Sequence, residues 1–490
     1  MKNIFHTLIL AAAVLACSCS DWLDVNPKGE MKEADIFTTE AGFKSVLTGV
    51  YIRMASTGMY GRMTTVYLPE LLAQHWDTEG QEYATEKMLR NYNFRNPTVE
   101  ATVKSLWDQY FSGIVNLNGI INNIDGKEHI FGPGNYGLIK GEALGLRAFL
   151  HFEVLRLWGP VPAKANRADL SVPYITHVTK EPELLLSTSY GEALDRIIAD
   201  LEAAAELLAD DPVRDYELLV LNTPSSPQGP ADDFHYYRKN RFNYYAVKAT
   251  MARYWQWMGG HDKEAAACAN EVIDAALRTI PGQTVFRLAD NSILGGLSPD
   301  RIMNVEHIFA VHNKQLPDSF ETMFGSRNPY TMDRIQINTM QEPENAEDVR
   351  IINNNYWYDA LVEGYPRFTL RKYYNVDTRI GQDQVPVIRL AEMYLIAMEC
   401  GTLAEANQRF NEFKIARRLN NPTSDSFTAS DQVRPRVEKE LRKDFYGEGL
   451  MFYYYKRHDV AAFTWPNVAN VLAVKPVYVL PKPEEQTKFE

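Results

Sequence analysis

A chain of 490 residues, 45% hydrophobic and 12% aromatic, is long enough for one large or two ordinary domains and has the apolar content for a substantial core, which excludes a disordered chain. A net charge of −12 with no long basic run argues against a surface that tracks nucleic-acid phosphates.

In chain order, Met1 to Ala16 read as an export signal: Lys2, then the apolar run LILAAAVLA, too short to span a bilayer, then cysteine. Ordinary secretion needs only small residues at the cleavage site. Lipoprotein processing also needs a cysteine as the new N-terminus, and Cys17 and Cys19 both qualify. Residues 19–35, with Asn26-Pro27-Lys28-Gly29, read as a linker. Cys268 and Cys400 sit in apolar helical patterns and are expected as free buried thiols, since no Cys/His spacing of a zinc site occurs.

From Glu40 the pattern is helical. Glu40–Met54 carries Phe43, Val46, Leu47 and Val50 at helical spacing, Val66–Asp77 is a second helical piece, and Val99–Ile124 is a long amphipathic helix. Tyr136–Trp158 has apolar or small residues on more than one face, so it is expected to be buried on several sides and to pair with 99–124 as an antiparallel hairpin. Gly141 and Gly145 share a face and leave room for another backbone, and Gly159-Pro160 stop the helix. Ser189–Leu208 is amphipathic, with Ser187 or Ser189 as N-cap.

Phe242–Met258, the Gly259-Gly260 break and Lys263–Leu277 resemble a tetratricopeptide unit of about 34 residues, and Val387–Glu399, Gly401 and Ala404–Leu419 repeat the plan. Between them helical pattern breaks, and His307–His312 is a strand candidate. The expected fold is mostly α: a tetratricopeptide-like helical-repeat scaffold with an irregular loop-rich insertion and few short strands. An irregular helical domain is the alternative. A segment that long without helices inside a helical protein is where specific binding is expected.

Gly132 to Gly137 spells G-x-G-x-x-G, but a helix and a short loop precede it where a dinucleotide-binding turn needs a strand, so no nucleotide site is expected. H-E-x-x-H, G-x-S-x-G and P-loop motifs are absent.

GEALGLRAF, followed by a helix and then WGPVP, resembles the SusD/RagB family of outer-membrane nutrient-binding lipoproteins. So do Trp107, Phe111, Ile114 and Asn118 at their spacing, PVIRLAEMYLIAMEC (Pro386–Cys400), EKELRKDFYGEG (Glu438–Gly449) and Tyr478–Pro483, which is similar to the family's final strand. Ser20-Asp21-Trp22-Leu23-Asp24 is similar to the motif that follows the family's lipidated cysteine, which favours Cys19 over Cys17. Leu450–Arg457 departs from the family, which commonly places an Arg and then Asp-Leu-x-Arg there.

The resemblance implies a signal peptide over 1–18, the linker over 19–35, an N-terminal helical part over 36–280, a ligand-binding insertion over 281–385 and a C-terminal helical part over 386–490. It implies a lipid-anchored, cell-surface protein of the outer membrane that binds an oligosaccharide or other nutrient and partners a SusC-like TonB-dependent β-barrel transporter. No catalysis, cofactor, metal or nucleic acid is expected. A surface-anchored glycoside hydrolase and a non-catalytic helical-repeat scaffold are the alternatives.

The family's ligand contacts form no fixed motif, so candidates come from chemistry: sugar C–H faces pack on aromatic rings and sugar hydroxyls bond Asn, Asp, Gln and Arg. Two stretches combine these types. One holds His75, Trp76, Asp77 and Tyr83; the other holds Asn353, Asn354, Asn355, Tyr356, Trp357, Tyr358 and Asp359, with Tyr330 as a further candidate. Core packing is the alternative for each aromatic, and Tyr453-Tyr454-Tyr455 reads as core.

Overall fold

Caps and breakers set most helix ends. The computed structural model describes residues 33–76, 84–179, 181, 185–224, 226–277, 279–280, 283–284, 286–295, 299–316, 347–350, 357–362, 365–373, 383–419, 426–463, 475–488 and 490. Helix α1 (Glu40–Ala55) begins at Thr39, whose side chain accepts the N–H of Gly42, and α2 (Pro97–Ile124) begins at Asn96 with proline in its first turn. After a short loop come α3 (Asn135–Trp158), α4 (Tyr190–Leu207) capped by Ser189, α5 (Tyr244–Met258) capped by Asn243, and α6 (Asp262–Leu277).

The chain then leaves the helices. Strands β1 (His307–His312), β2 (Trp357–Val362), β3 (Tyr365–Leu370) and β4 (Gln384–Arg389) form two antiparallel pairs, β1 with β4 and β2 with β3. It returns through α7 (Leu390–Cys400), α8 (Leu403–Arg417), α9 (Val433–Asp444) and α10 (Leu450–Arg457).

Successive helices pack on one another from α1 to α6, and α7 packs on α6 as the next member of the row, with α8 on α7. The array is that of a helical-repeat protein. The insertion is thus looped out between two helices that stack directly, and the β1–β4 ladder closes its stem.

Helix α3 is the centre. Its buried residues include Glu142, Arg147, Glu153 and Arg156, so the all-round burial expected from its pattern takes in charges as well, each one paired. Arg238 bonds Glu142 at 2.6 Å, Arg147 bonds Asp200 at 2.7 Å, and Arg156 bonds Glu153. Side chains rather than a backbone fill the space beside its glycines: a Cβ on Gly145 would lie 2.8 Å from the Phe242 ring, and one on Gly141 2.7 Å from Leu208. The helix stops at Gly159, where the buried Lys456 amine donates to the carbonyls of Gly159 at 2.8 Å and Leu157 at 3.3 Å. Burial holds that amine well below the ordinary lysine range.

Three expectations are corrected. The helix expected from Val387 begins at Leu390, because Gln384–Arg389 pairs with β1, and a distant strand overrides the local helical pattern. The helical piece expected over 66–77 is one π turn (Met63–Tyr67) and a short helix (Leu68–Leu72), and ends before Gln74, which takes φ 63°. Tyr478–Pro483 joins no sheet among the described residues; it runs along the end of α3, with the Leu480 N–H on the Leu157 carbonyl at 3.1 Å. The glycine run at 132–137 holds no phosphate cradle. The Gly132 N–H and the Asn135 amide donate to Glu40, and Asn135 donates also to Asp232, so two carboxylates stand where an anion would sit. Cys268 and Cys400 are free thiols and half-buried; burial pushes that of Cys268 up to about 11.

Candidate functional site

Charge ties the insertion to the scaffold. Glu306, just before β1, is fully buried and accepts from Arg389 at 2.7 Å, Arg417 at 2.8 Å and the Ala289 N–H at 2.8 Å. Asp444, the last residue of α9, accepts from Arg417 at 2.7 Å, Arg389 at 3.0 Å and Arg350 at 3.3 Å. Arg350 also holds Asp348 at 2.6 Å and Glu440 at 2.9 Å, and Glu448 takes Arg389 at 2.8 Å and the Lys372 amine. Residues 306, 348–350 and 372 lie within the insertion and 389 just after it, so this clamp fixes the insertion on α8, α9 and the turn after α9.

Burial penalises every one of these charges, and only multiple charge-assisted bonds offset it. Burial alone would raise the Asp444 carboxyl; Arg417, Arg389 and Arg350 overcome it and hold that group far below the ordinary range. Glu440, buried likewise, is brought to about 2 by Arg350, Lys443 and Arg436.

The turn 445–449 is the second fixture. Gly447 and Gly449 take φ 75° and 76°, and a Cβ on Gly449 would lie 2.6 Å from the Thr64 carbonyl, so glycine is required there. Glu70 accepts the N–H groups of Gly447 at 3.1 Å and Gly449 at 2.8 Å and also bonds His75. On the other side the Tyr373 hydroxyl reaches the Gly447 carbonyl at 3.3 Å, and Leu370, at the end of β3, packs where a Cβ on Gly447 would go.

The structure places the candidates differently from one another. His75 and Trp76 are 3% and 1% exposed, with the Trp76 indole N–H on the Val66 carbonyl at 2.6 Å and the His75 ring 4.6 Å from that of Tyr446. They are core side chains that pin the turn, and the expectation that they face a ligand is corrected: Tyr446 covers them from the far end of the chain. Trp357 and Tyr358 open β2, paired with Leu370 and Thr369 of β3. Asp77, Tyr83, Tyr330, Asn353, Asn355 and Tyr356 lie outside the described residues, as do Cys17 and Cys19. Tyr453, Tyr454 and Tyr455 are buried, as read from the sequence.

Both candidate stretches therefore border one turn: Trp76 through Tyr446, and the Trp357 hairpin through Leu370 and Tyr373. A cleft of about 280 Å³ between α2 and the C-terminal segment, lined by Trp107, Asp108, Leu186 and Gln486 among others, takes in none of the candidates. Arg389, Glu440, Asp444 and Glu448 of the clamp fall in the quoted family motifs, but nothing in the sequence showed that they meet. The clamp's acids and bases are common residue types, and apart from Asp348 with Arg350 their partners within the clamp lie far along the chain.

Fold and clamp together define a helical-repeat protein that presents an inserted segment from a rigid base. The chain belongs to the SusD/RagB family. A family model described as starch-binding and associating with the outer membrane matches residues 21–225, and that of the SusD family matches 319–475. Two SusD-like proteins of Formosa agariphila, P38 and P25, are 28% and 20% identical over 210 and 213 residues, each match covering 42% of this chain. The chain spans only 38% of the length of either relative. A SusD superfamily protein from Bacteroides vulgatus superposes with a TM-score of 0.68 at 22% identity, over 92% of this chain and 97% of that one. A laminarin-binding SusD-like protein superposes with a TM-score of 0.65 at 18% identity, over 92% and 97%. No helix among the described residues is long and apolar enough to cross a membrane.

Proposed function

We propose that this chain captures a glycan at the cell surface, without turning it over, and hands it to a SusC-like TonB-dependent transporter in the outer membrane, where a lipid on Cys19 anchors it. The observation that carries the reading is the buried clamp that seats the inserted segment, with its Trp357 hairpin, on a fixed base through Glu306, Arg389, Asp444 and Glu448: a ligand that packs on rings gains most where the rings are held in place beforehand. The likeness to a laminarin-binding protein supports a glycan, and the outer-membrane description of the matching family supports the location.

One ring stacked on a sugar hides on the order of 60 Å² of apolar surface, about 1.5 kcal/mol at roughly 25 cal/mol per Å². Two or three rings with hydrogen bonds of about 1 kcal/mol each, set against the entropy of association, leave a Kd in roughly the millimolar to micromolar range. Purified protein run through gels cast with a panel of polysaccharides should be retarded by one of them and release no product. Trp357→Ala should weaken that retention several-fold with the circular dichroism unchanged. Release of oligosaccharides would overturn the non-catalytic reading, and retention by no polysaccharide would overturn the glycan reading.

The anchor has its own test. Cells fed an alkyne fatty acid should label the wild-type chain and not Cys19→Ala. Label that survives Cys19→Ala and vanishes with Cys17→Ala moves the anchor to Cys17, and label indifferent to both removes it.

A further inference from the structure

Most deeply buried guanidiniums among the described residues sit on carboxylates: Arg147 on Asp200, Arg238 on Asp211, Arg253 on Glu392, and Arg389 and Arg417 on Asp444. Arg301 does not. It is 7% exposed, its Nε is buried with no hydrogen-bond partner, and no carboxylate among the described residues lies within ion-pair distance of it. The acid next to it, Asp300, turns instead to the Asn304 N–H at 2.8 Å. The charge that acts on Arg301 is another cation, Arg371; burial and then that repulsion bring the guanidinium down to about 10. Arg301 lies in the loop that leads to Glu306 and β1, and Arg371 directly follows the Trp357 hairpin.

An uncompensated buried charge destabilises a fold, and methionine would fill the same space without the cost. Such a residue is explained when its counter-charge arrives from outside. A guanidinium presents parallel N–H donors that match two oxygens of a carboxylate or a sulfate. We propose that Arg301 receives an anionic oxygen pair of the ligand, so that the glycan is an acidic one bearing carboxylates or sulfates. The inference rests on the glycan reading above and adds the charge class. With a net charge of −12 the protein as a whole repels such a ligand, so its capture depends on this local cation rather than on long-range attraction.

Calorimetry on the full chain with three probes tests this: an oligogalacturonate carrying carboxylates, a sulfated galactan oligosaccharide carrying sulfates, and a neutral laminarin oligosaccharide. One acidic probe should bind at least tenfold tighter than laminarin, and which one does so names the anion. Arg301→Met should weaken that probe by about ten- to a hundredfold, the range for a charge-assisted bond. Arg301→Lys should recover part of the loss, and neither variant should change laminarin binding. Without ligand, Arg301→Met should melt no lower than wild type, since it removes an unpaired charge.

If laminarin binds and neither acidic probe binds tighter, the charge inference falls and the glycan reading stands. If none of the three binds at millimolar concentration, both fall. Acidic binding unchanged in Arg301→Met removes Arg301 from the site. A methionine variant that melts several degrees lower, or does not fold, makes Arg301 structural and overturns the assignment.

Discussion

Asp444→Asn is expected to lower the unfolding free energy by about 3 to 5 kcal/mol, the range for removing one partner from a buried ion network. Asparagine has the volume of aspartate, so no cavity opens and the loss is electrostatic. Arg350, Arg389 and Arg417 would keep their positive charges in a site with almost no solvent, and the amide would turn one pair of N–H donors toward them. Glu306 and Glu448 still hold Arg389, and Glu306 still holds Arg417, which keeps the cost from being larger. Urea unfolding followed by circular dichroism measures it. A loss below about 1 kcal/mol would mean that the guanidiniums find other partners and that Asp444 is no keystone. The same substitution should impair glycan retention, because the clamp holds the insertion on the helices.

Mild acid should destabilise the protein before the carboxylates that the fold holds near 2 are protonated. His151 and His307 are fully buried, and burial, with Arg147 and Arg196 acting on the first and Lys239 and Arg389 on the second, pushes both imidazoles down to about 3 from 6.5. The His151 ring stacks on Tyr174 at 4.0 Å with its Nε2 against the Ile175 backbone, and the Nε2 of His307 lies 2.8 Å from the Ile302 carbonyl. Both folded pKa values lie below the unfolded value, so the unfolded chain binds more protons in that window. The stability these groups contribute is complete above about pH 6.5 and is lost as the pH falls toward 3. At pH 4.5 each neutral imidazole should have cost the fold on the order of 2 to 3 kcal/mol relative to pH 7.5. Glu399 and Glu440, both near 2 in the fold, add their loss only below about pH 4.5. Urea midpoints at pH 7.5 and 4.5 should therefore differ clearly, and His151→Phe should narrow the difference by about half. Equal midpoints, or a His151→Phe difference as wide as wild type, would place the acid sensitivity elsewhere.

The departures between sequence and structure share a cause. Trp76 and His75 read as exposed binding residues because aromatic and polar types alternate there, yet Tyr446, which covers them, lies some 370 residues onward. Residues 387–389 read as the start of a helix because Val387 to Glu399 is apolar at helical spacing, and the β1 strand that claims them lies far earlier in the chain. The motif residues Arg389 and Glu448-Gly449 carried the family resemblance, and they turn out to be parts of the clamp: the first binds three acids, and the second pairs a buried carboxylate with a glycine that no side chain could replace.

By itself the sequence determined the helices of the repeat array, most of their ends, the strand at 307–312, the burial of the central helix on all sides and the family. Each of these rests on contacts within a few residues: the i, i+3 and i+4 faces of a helix, a capping side chain two or three positions from the N–H it satisfies, a glycine where the chain must turn. Only the tertiary structure decided which charges form the clamp, that Trp76 is core, and that Arg301 stands without a counter-charge. Those depend on partners 83 residues apart for Glu306 and Arg389 and 111 for Glu306 and Arg417. Over such separations the identity of a residue says that it carries a charge or a ring, and packing alone says what, if anything, it meets.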